Sequence, residues 1–337
     1  MTSKPLVGFG EILLRLSVPG HRLLLQAGQL DLHVGGAEAN VCVALARLDH
    51  PTRMISVLPA NELGGMGRSA LSAAGVDTSS IREGEGRMGL YFLEPGASLR
   101  PSRIVYDREA SAFALADAAS FDWPKLLAGA AMLHVSGVTA ALGPMSSEAA
   151  LAAMIAARDA GIPTSFDANY RAQLWEGWNP DPSDILRGLV GQADLLFGNH
   201  RDISLLLGRP FSGDGPDRRR EAAEAAFAAF PKLQRIASTS RHIDHVDCHR
   251  IAARLDTRAG GHQTDEVEIA GIVDRIGTGD AFAAGVIHGL LSGAGEEQSV
   301  RDGLALACLK HSQPGDAALF TAADLAAFDA GSLDVRR

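Results

Sequence analysis

Asp280 closes a polar glycine turn, Val273-Asp274-Arg275-Ile276-Gly277-Thr278-Gly279-Asp280, which runs directly into the apolar segment Ala281-Phe282-Ala283-Ala284-Gly285. Glycines at 277 and 279 let backbone N–H groups converge, and a helix starting there turns its positive end on the same point. Such a turn suits an anion, above all a phosphoryl group in transit. A carboxylate at its edge can accept the proton of an attacking hydroxyl, and phosphoryl transfer otherwise asks mainly for alignment and charge stabilisation. The same residues also fit a plainer role in which Asp280 merely caps the helix. The local pattern leaves both readings open.

Other spacings mimic chemistry without its context. Gly84-Glu85-Gly86-Arg87-Met88-Gly89 matches a dinucleotide fingerprint, but a strand-like run follows it where a helix should open. His200-Arg201-Asp202 resembles a kinase catalytic loop, yet the downstream Asn, the Gly-rich loop and its strand lysine are missing. His242, His245, Cys248 and His249 are spaced as metal ligands might be, but they share one short polar segment with no distant second pair, so a surface loop is expected and no metal ligand is named. No G-x-x-x-x-G-K-[ST] occurs, which excludes phosphate binding of the P-loop kind.

The elements that must position these residues alternate in period. Strand-like runs at Leu6 to Phe9, Arg53 to Leu58, Met132 to Val135, Pro163 to Phe166, Asp194 to Phe197 and Gln234 to Ser238 are separated by helical segments. Helices are expected at Ala37 to Leu48, Met66 to Ala74, Ser146 to Ala160, Ile203 to Leu207, Arg218 to Phe230 and Thr278 to Leu291. That alternation predicts an α/β protein with a buried, mostly parallel sheet covered by helices. Two stretches break the rhythm, Glu11 to Val34 and Arg87 to Asp107, the second with strand-like runs at Met88 to Leu93 and Arg103 to Tyr106. Together they predict a small β lid beside the C-terminal ends of the main strands, where open α/β sheets bind ligands. The expected division is a core of residues 1–10, 36–84 and 111–337 and a lid of residues 11–35 and 85–110.

Composition narrows the partners. Forty acidic against 31 basic residues, a net charge of −9, argue against a general nucleic-acid or acidic-lipid surface. The triplet Arg218-Arg219-Arg220 reads as a solvated first helical turn. Cys42, Cys248 and Cys308 are too few and too scattered for a disulfide framework, and no apolar run reaches the length of a membrane span. A cytoplasmic protein acting on a small molecule is the expectation.

Asp274 to Gly285 resembles the second signature of the PfkB, or ribokinase-like, carbohydrate kinases. Their first signature is matched by Val34-Gly35-Gly36-Ala37-Glu38-Ala39-Asn40 and the helix that follows, in the right order and at a wide separation. The resemblance runs from about residue 5 to about residue 320. It implies a ribokinase-like three-layer α/β/α core with a small β-sheet lid, and an ATP- and Mg2+-dependent kinase with Asp280 as base and Gly277, Thr278 and Gly279 as its anion hole. It also carries a sugar-contacting role to Gly35, Gly36 and Asn40. Thr278 departs from the small residue most members have there.

Five further blocks resemble the family's 2-keto-3-deoxygluconate kinases: Gly10 to Leu16, Arg87 to Glu94, Val105 to Arg108, Phe166 to Arg171 with Leu174-Trp175, and Leu309 to Asp316. By that similarity Tyr91, Tyr106, Arg108 and Arg171 line a sugar-acid site, and arginine suits a carboxylate because it is permanently charged and binds in bidentate fashion. The alternative is that Arg108 and Arg171 pair with nearby carboxylates such as Asp107 or Asp167. On the nucleotide side the resemblance points to Asn199 in Asn199-His200-Arg201-Asp202, to Ser238, Thr239 and Arg241 beside Ser240, to Gly277 and Gly279, and to His311. Residues His311 to Asp316 are then expected near the adenine. The implied reaction puts a phosphoryl group on a hydroxyl of 2-keto-3-deoxygluconate, giving the 6-phosphate. A kinase of a neutral sugar such as fructose or ribose, and a catalytically silent sugar-binding regulator, are the alternatives. Exposed lid edges would let two subunits pair; subunit number and monovalent-cation use stay open.

Overall fold

The computed structural model describes residues 4–178 and 180–329. Fourteen strands are found among them: β1 (Leu6–Phe9), β2 (Leu13–Ser17), β3 (Asp31–Gly35), β4 (Thr52–Pro59), β5 (Ile81–Gly84), β6 (Gly89–Glu94), β7 (Arg103–Asp107), β8 (Met132–Ser136), β9 (Thr164–Asp167), β10 (Leu195–Phe197), β11 (Arg235–His245), β12 (Cys248–Thr257), β13 (Gly261–Gln263) and β14 (Val267–Ala270). Ten form one sheet in the order β13-β12-β11-β10-β9-β8-β1-β4-β5, with β14 also pairing to β12. From β5 to β11 every pairing is parallel, and only β12, β13 and β14 run antiparallel.

Side chains leave the central strands alternately toward two apolar layers. On β1 and β4, Leu6 and Met54 pack toward the helices Ala37–Arg47, Thr278–Leu291 and Glu296–Lys310, while their neighbours Val7 and Ile55 pack toward the helices Pro144–Asp159 and Pro182–Val190. With both faces covered by helices, these strands read as continuous hydrophobic runs, as a buried parallel sheet requires. The expected three-layer core is therefore present.

The second sheet has the order β3-β2-β6-β7. Its central pair, β2 and β6, is parallel, and antiparallel β3 and β7 flank it. All four strands lie inside the two segments expected to break the βα rhythm. Leu13, Tyr91 and Leu93 form the buried heart of its inner face, with Tyr106 and Ile104 against them. Ile276, from the glycine turn, packs into this same cluster, so the lid rests directly on the turn it was expected to cover.

Two expectations need correction. The His-rich segment 241–250 is not a surface loop, because β11 continues to His245 and turns into β12 at Cys248, making a hairpin that stands beyond the sheet's carboxyl edge. Register explains why the pattern hid it: its exposed face carries His242, Asp244 and Arg250, whose polarity imitates a loop. The helix expected from Ile203 begins at His200, where Asn199 and Asp202 form a reciprocal capping box.

Candidate functional site

Gly277 is the N-cap of the helix Thr278–Leu291 and sits at a left-handed φ of 75°. A Cβ there would lie 1.7 Å from the carbonyl oxygen of Asp316, so only glycine allows this approach. Thr278 donates its hydroxyl to the Arg275 carbonyl at 3.0 Å and closes the turn. At Gly279 a Cβ would meet nothing within 4 Å. The first-turn N–H groups have no partner inside the helix, as at any helix start, and a helix start can bind an anion.

Asp280 does not cap the helix. Its Oδ2 accepts a 2.7 Å hydrogen bond from Nδ2 of Asn40, a residue 240 positions away in the chain. Asn40 is held there by the helix Ala37–Arg47, whose N-cap Gly36 has φ 141° and lies so close to the Glu11 carbonyl that a Cβ would come within 2.2 Å of it. The two glycine turns therefore meet, one supplying the carboxylate and the other its orienting amide. Burial, with the Asp316 carboxylate adding to it, pushes Asp280 up to about 6 against the opposing Asn40 bond. A half-buried carboxylate whose affinity for protons lies near neutrality has the properties a general base needs.

Arg15 of β2, which no motif singled out, ties the lid to this turn. Its Nη2 donates to Asp274 Oδ2 at 2.7 Å, its Nε lies 3.1 Å from Asp316 Oδ1, and it is 1% exposed. Tyr91 of β6 donates its hydroxyl to Asp316 Oδ2 at 2.6 Å, and the Tyr106 ring lies 6.3 Å from the Tyr91 ring. Asp316 is thus turned to the lid, and Gly35 is glycine partly because a Cβ would come within 2.3 Å of Asp316 Oδ2. A charged residue among the leucines of Leu13-Leu14-Arg15-Leu16, on a strand that is otherwise buried, was the signal in sequence.

The two arginines expected to hold a carboxylate fare differently. Arg108 is 7% exposed and gives its Nε to Glu11 Oε2 at 2.5 Å, so a buried carboxylate of the chain itself already engages it. The expected surface partner Asp107 pairs with Arg87 instead. Arg171 is exposed, has only the Tyr170 carbonyl at 3.2 Å as a hydrogen-bond partner among the described residues, and forms no ion pair there. It nonetheless lies near enough to Asp280, Asp167 and Asp202 to favour their ionised forms. Burial, with Asp280 and Asp202 adding to it, pushes Asp167 up to about 8. Glu38, at 1% exposed, is pushed up to about 7 by burial while it accepts hydrogen bonds from the Ser136 amide at 2.8 Å and the Thr139 hydroxyl at 2.6 Å. Neither acid had a chemical role assigned from sequence.

On the far side of the turn, Ser238, Thr239, Ser240 and Arg241 run along β11 where it passes the carboxyl edge of β10. Asn199 caps the helix His200–Leu207 after β10, its Oδ1 accepting from the Arg201 amide at 2.8 Å. His311 is 1% exposed; its carbonyl accepts from the Val273 amide at 2.8 Å, and its Nδ1 lies 2.7 Å from the Ala307 carbonyl. No group of three or more His, Cys, Asp or Glu side chains is assembled as a metal cage among the described residues. A Mg2+ ion carried by nucleotide phosphates and water needs no such cage.

An open, mostly parallel α/β sheet with a β lid over an Asp-tipped glycine turn is the ribokinase-like arrangement, shared with the crystal structure of 2-dehydro-3-deoxygluconokinase from Thermotoga maritima (TM-score 0.92, 34% identity, covering 97% of this chain and 100% of that one). The chain belongs to the pfkB family of carbohydrate kinases, whose sequence model matches residues 4–322. It is similar to 2-dehydro-3-deoxygalactonokinase of Haloferax volcanii, 32% identical over 319 residues that span 94% of this chain and 93% of that protein. It also resembles 2-dehydro-3-deoxygluconokinase of Bacillus subtilis, 27% identical over 92% of this chain and 90% of the other. A fructokinase from Xylella fastidiosa, at 20% identity and a TM-score of 0.80, shares the fold alone. No helix among the described residues is long and apolar enough to cross a membrane.

Proposed function

We propose that this enzyme is a cytoplasmic kinase of a 2-keto-3-deoxy sugar acid, transferring the γ-phosphoryl group of ATP to the terminal hydroxyl of 2-keto-3-deoxygluconate. The observation that carries the reading is the meeting of Asn40 and Asp280 at 2.7 Å with Arg171 exposed nearby and without an ion pair among the described residues. Asp280 accepts the hydroxyl proton, and Asn40 fixes the orientation of its carboxylate. Arg171 binds the substrate carboxylate; an exposed cation with no ion-pair partner loses nothing by turning to it. Tyr91 and Tyr106, with Gly35 and Gly36, wall the sugar side. Arg108 supports that wall through Glu11 and touches substrate only with the edge of its guanidinium that Glu11 does not use.

ATP supplies the transferred group, and Mg2+ offsets its charge. Gly277, Thr278 and Gly279 present first-turn amides to that charge, with Ser238, Thr239, Arg241, Asn199 and His311 on the nucleotide side. The lid, residues 11–35 and 85–110, excludes water from the reacting centre. Its edges, β3 and β7, carry exposed Leu32 and Val105 and would pair with a second subunit. The names of the similar proteins from Haloferax, Bacillus and Thermotoga support a keto-deoxy acid, and the Haloferax name brings in the galactonate epimer as a second substrate.

Sugar-dependent ADP release with 2-keto-3-deoxygluconate, its galactonate epimer, fructose, ribose and gluconate tests the reading. Preference for a keto-deoxy acid, with KM for it raised at least tenfold in Arg171→Ala and little change in kcat, is expected. Preference for a neutral sugar would overturn the acid assignment, and absence of turnover with every sugar would overturn the kinase.

A further inference from the structure

Consecutive residues of the glycine turn face opposite ways. Asp274 is drawn to Arg15 under the lid, while the Arg275 side chain reaches toward the hairpin of β11 and β12. There it joins Arg241, His249 and His311. On the hairpin Arg241 is paired with Ile251 and Ile243 with His249, so alternation puts Arg241 and His249 on one face as diagonal neighbours. The His249 and His311 rings lie 6.3 Å apart at nearly right angles.

Three of these four groups carry a buried polar atom without a hydrogen-bond partner among the described residues. His249 is 0% exposed with neither ring nitrogen hydrogen-bonded, His311 lacks a partner at Nε2, and Arg275 lacks one at a buried Nε. Neither arginine forms an ion pair among the described residues, although the chain carries 40 acidic side chains and pairs most of its other buried or half-buried arginines. Two guanidinium groups close enough to repel, backed by a buried His249 with no partner and a His311 with one open nitrogen, are costly unless an anion with several acceptor oxygens joins them. Burial first, then Arg275, Arg241 and His311, hold His249 down at about 4, a neutral ring that donates one N–H without adding charge.

We propose that Arg275 and Arg241, with His249 behind them, form a clamp for the phosphates of the nucleotide that are not transferred, so that one turn holds the anion hole by its backbone and the remaining phosphates by the Arg275 side chain. The clamp rests on the kinase reading but not on the identity of the sugar. Arg275 binds substrate directly and sets the affinity for phosphates, independently of the base.

Calorimetric titration of the full chain with ADP and with adenosine, in the absence of sugar, tests this for the wild type, Arg275→Met, Arg275→Lys and Arg241→Met. Each Met variant is expected to weaken ADP by about tenfold or more, the size of one charge-assisted bond, with adenosine affinity unchanged and Arg275→Lys intermediate. Arg241 lies on an exposed hairpin, so its variant keeps the fold even if Arg275→Met does not. Unchanged ADP affinity in folded variants overturns the clamp, as does an equal loss of adenosine affinity, which would make the arginines structural. Loss of inorganic phosphate binding with ADP affinity intact would assign the cluster to a separate anion and overturn the nucleotide assignment. Wild-type protein that binds ADP through the clamp but phosphorylates no sugar acid would sink the substrate reading alone.

Discussion

A base works only in its ionised form, and Asp280 sits at about 6, so turnover should fall as pH drops through that value and level off above it. Its pKa is raised, so the proton is gained at a higher pH than for an ordinary carboxylate, and the loss begins closer to neutrality. Asp280→Asn should cost about 10²–10⁴-fold in kcat while nucleotide still binds, the usual range for a general base. Asn40→Ala removes a hydrogen bond that favours the carboxylate, so its acid limb should move to higher pH; a pH–rate profile with the limb unmoved would disconnect Asn40 from the base. The two arginines make a second comparison. Arg108→Ala strands Glu11 in a buried site and should cost about 3–5 kcal/mol of stability, the range for breaking a buried pair. Arg171→Ala should leave the melting temperature near wild type and act on KM. Equal melting temperatures for the two variants would contradict the buried pairing of Arg108.

At the scale of elements, the glycine turn separates two demands that look alike in sequence. Gly277 has a left-handed φ and a carbonyl where a Cβ would go, whereas Gly279 has helical neighbours and open space. Gly277→Ala should therefore lower stability by about 1–3 kcal/mol or more through backbone strain and displaced Asp316. Gly279→Ala should leave the melting temperature unchanged or slightly higher, since Ala is the better helix former, yet cut turnover because its methyl occupies the space in front of the first-turn amides. Thermal melts beside initial rates separate the two, and a Gly279→Ala enzyme with full activity would show that the anion does not sit there.

The whole molecule is held in its working shape by contacts between its two sheets. Arg15 joins β2 of the lid to Asp274 and Asp316 of the core, and Tyr91 and Ile276 add a hydroxyl and an apolar contact to the same junction. Arg15→Met removes the cation and leaves two buried carboxylates facing each other, so a loss of about 3–5 kcal/mol is expected, read as a lowered denaturant midpoint. The same variant should release lid from core and raise ATP hydrolysis in the absence of sugar, because water then reaches the turn. A stable variant with tight coupling of ATP use to sugar would show that the apolar contacts alone close the lid.

Sequence by itself determined the layered core and singled out the glycine turn that meets the lid. Short continuous apolar runs alternating with helical segments leave a buried parallel sheet as the arrangement that covers both faces of each strand, and Gly277-x-Gly279-Asp280 marks a turn that pairs glycine freedom with a carboxylate. The hairpin of β11 and β12 was illegible, since an arm standing beyond the sheet has polar residues on the face that local patterning reads. Tertiary structure alone decided what the Asp280 carboxylate bonds to, which of Arg108 and Arg171 is ion-paired among the described residues, and where Asp316 points. Each of those is settled by a partner far away in the chain: Asn40 for Asp280, Glu11 for Arg108, Arg15 and Tyr91 for Asp316. Charge and hydrogen-bonding capacity are properties of a residue, but their satisfaction belongs to whatever the fold brings within about 3 Å, and residue spacing along the chain carries no measure of that.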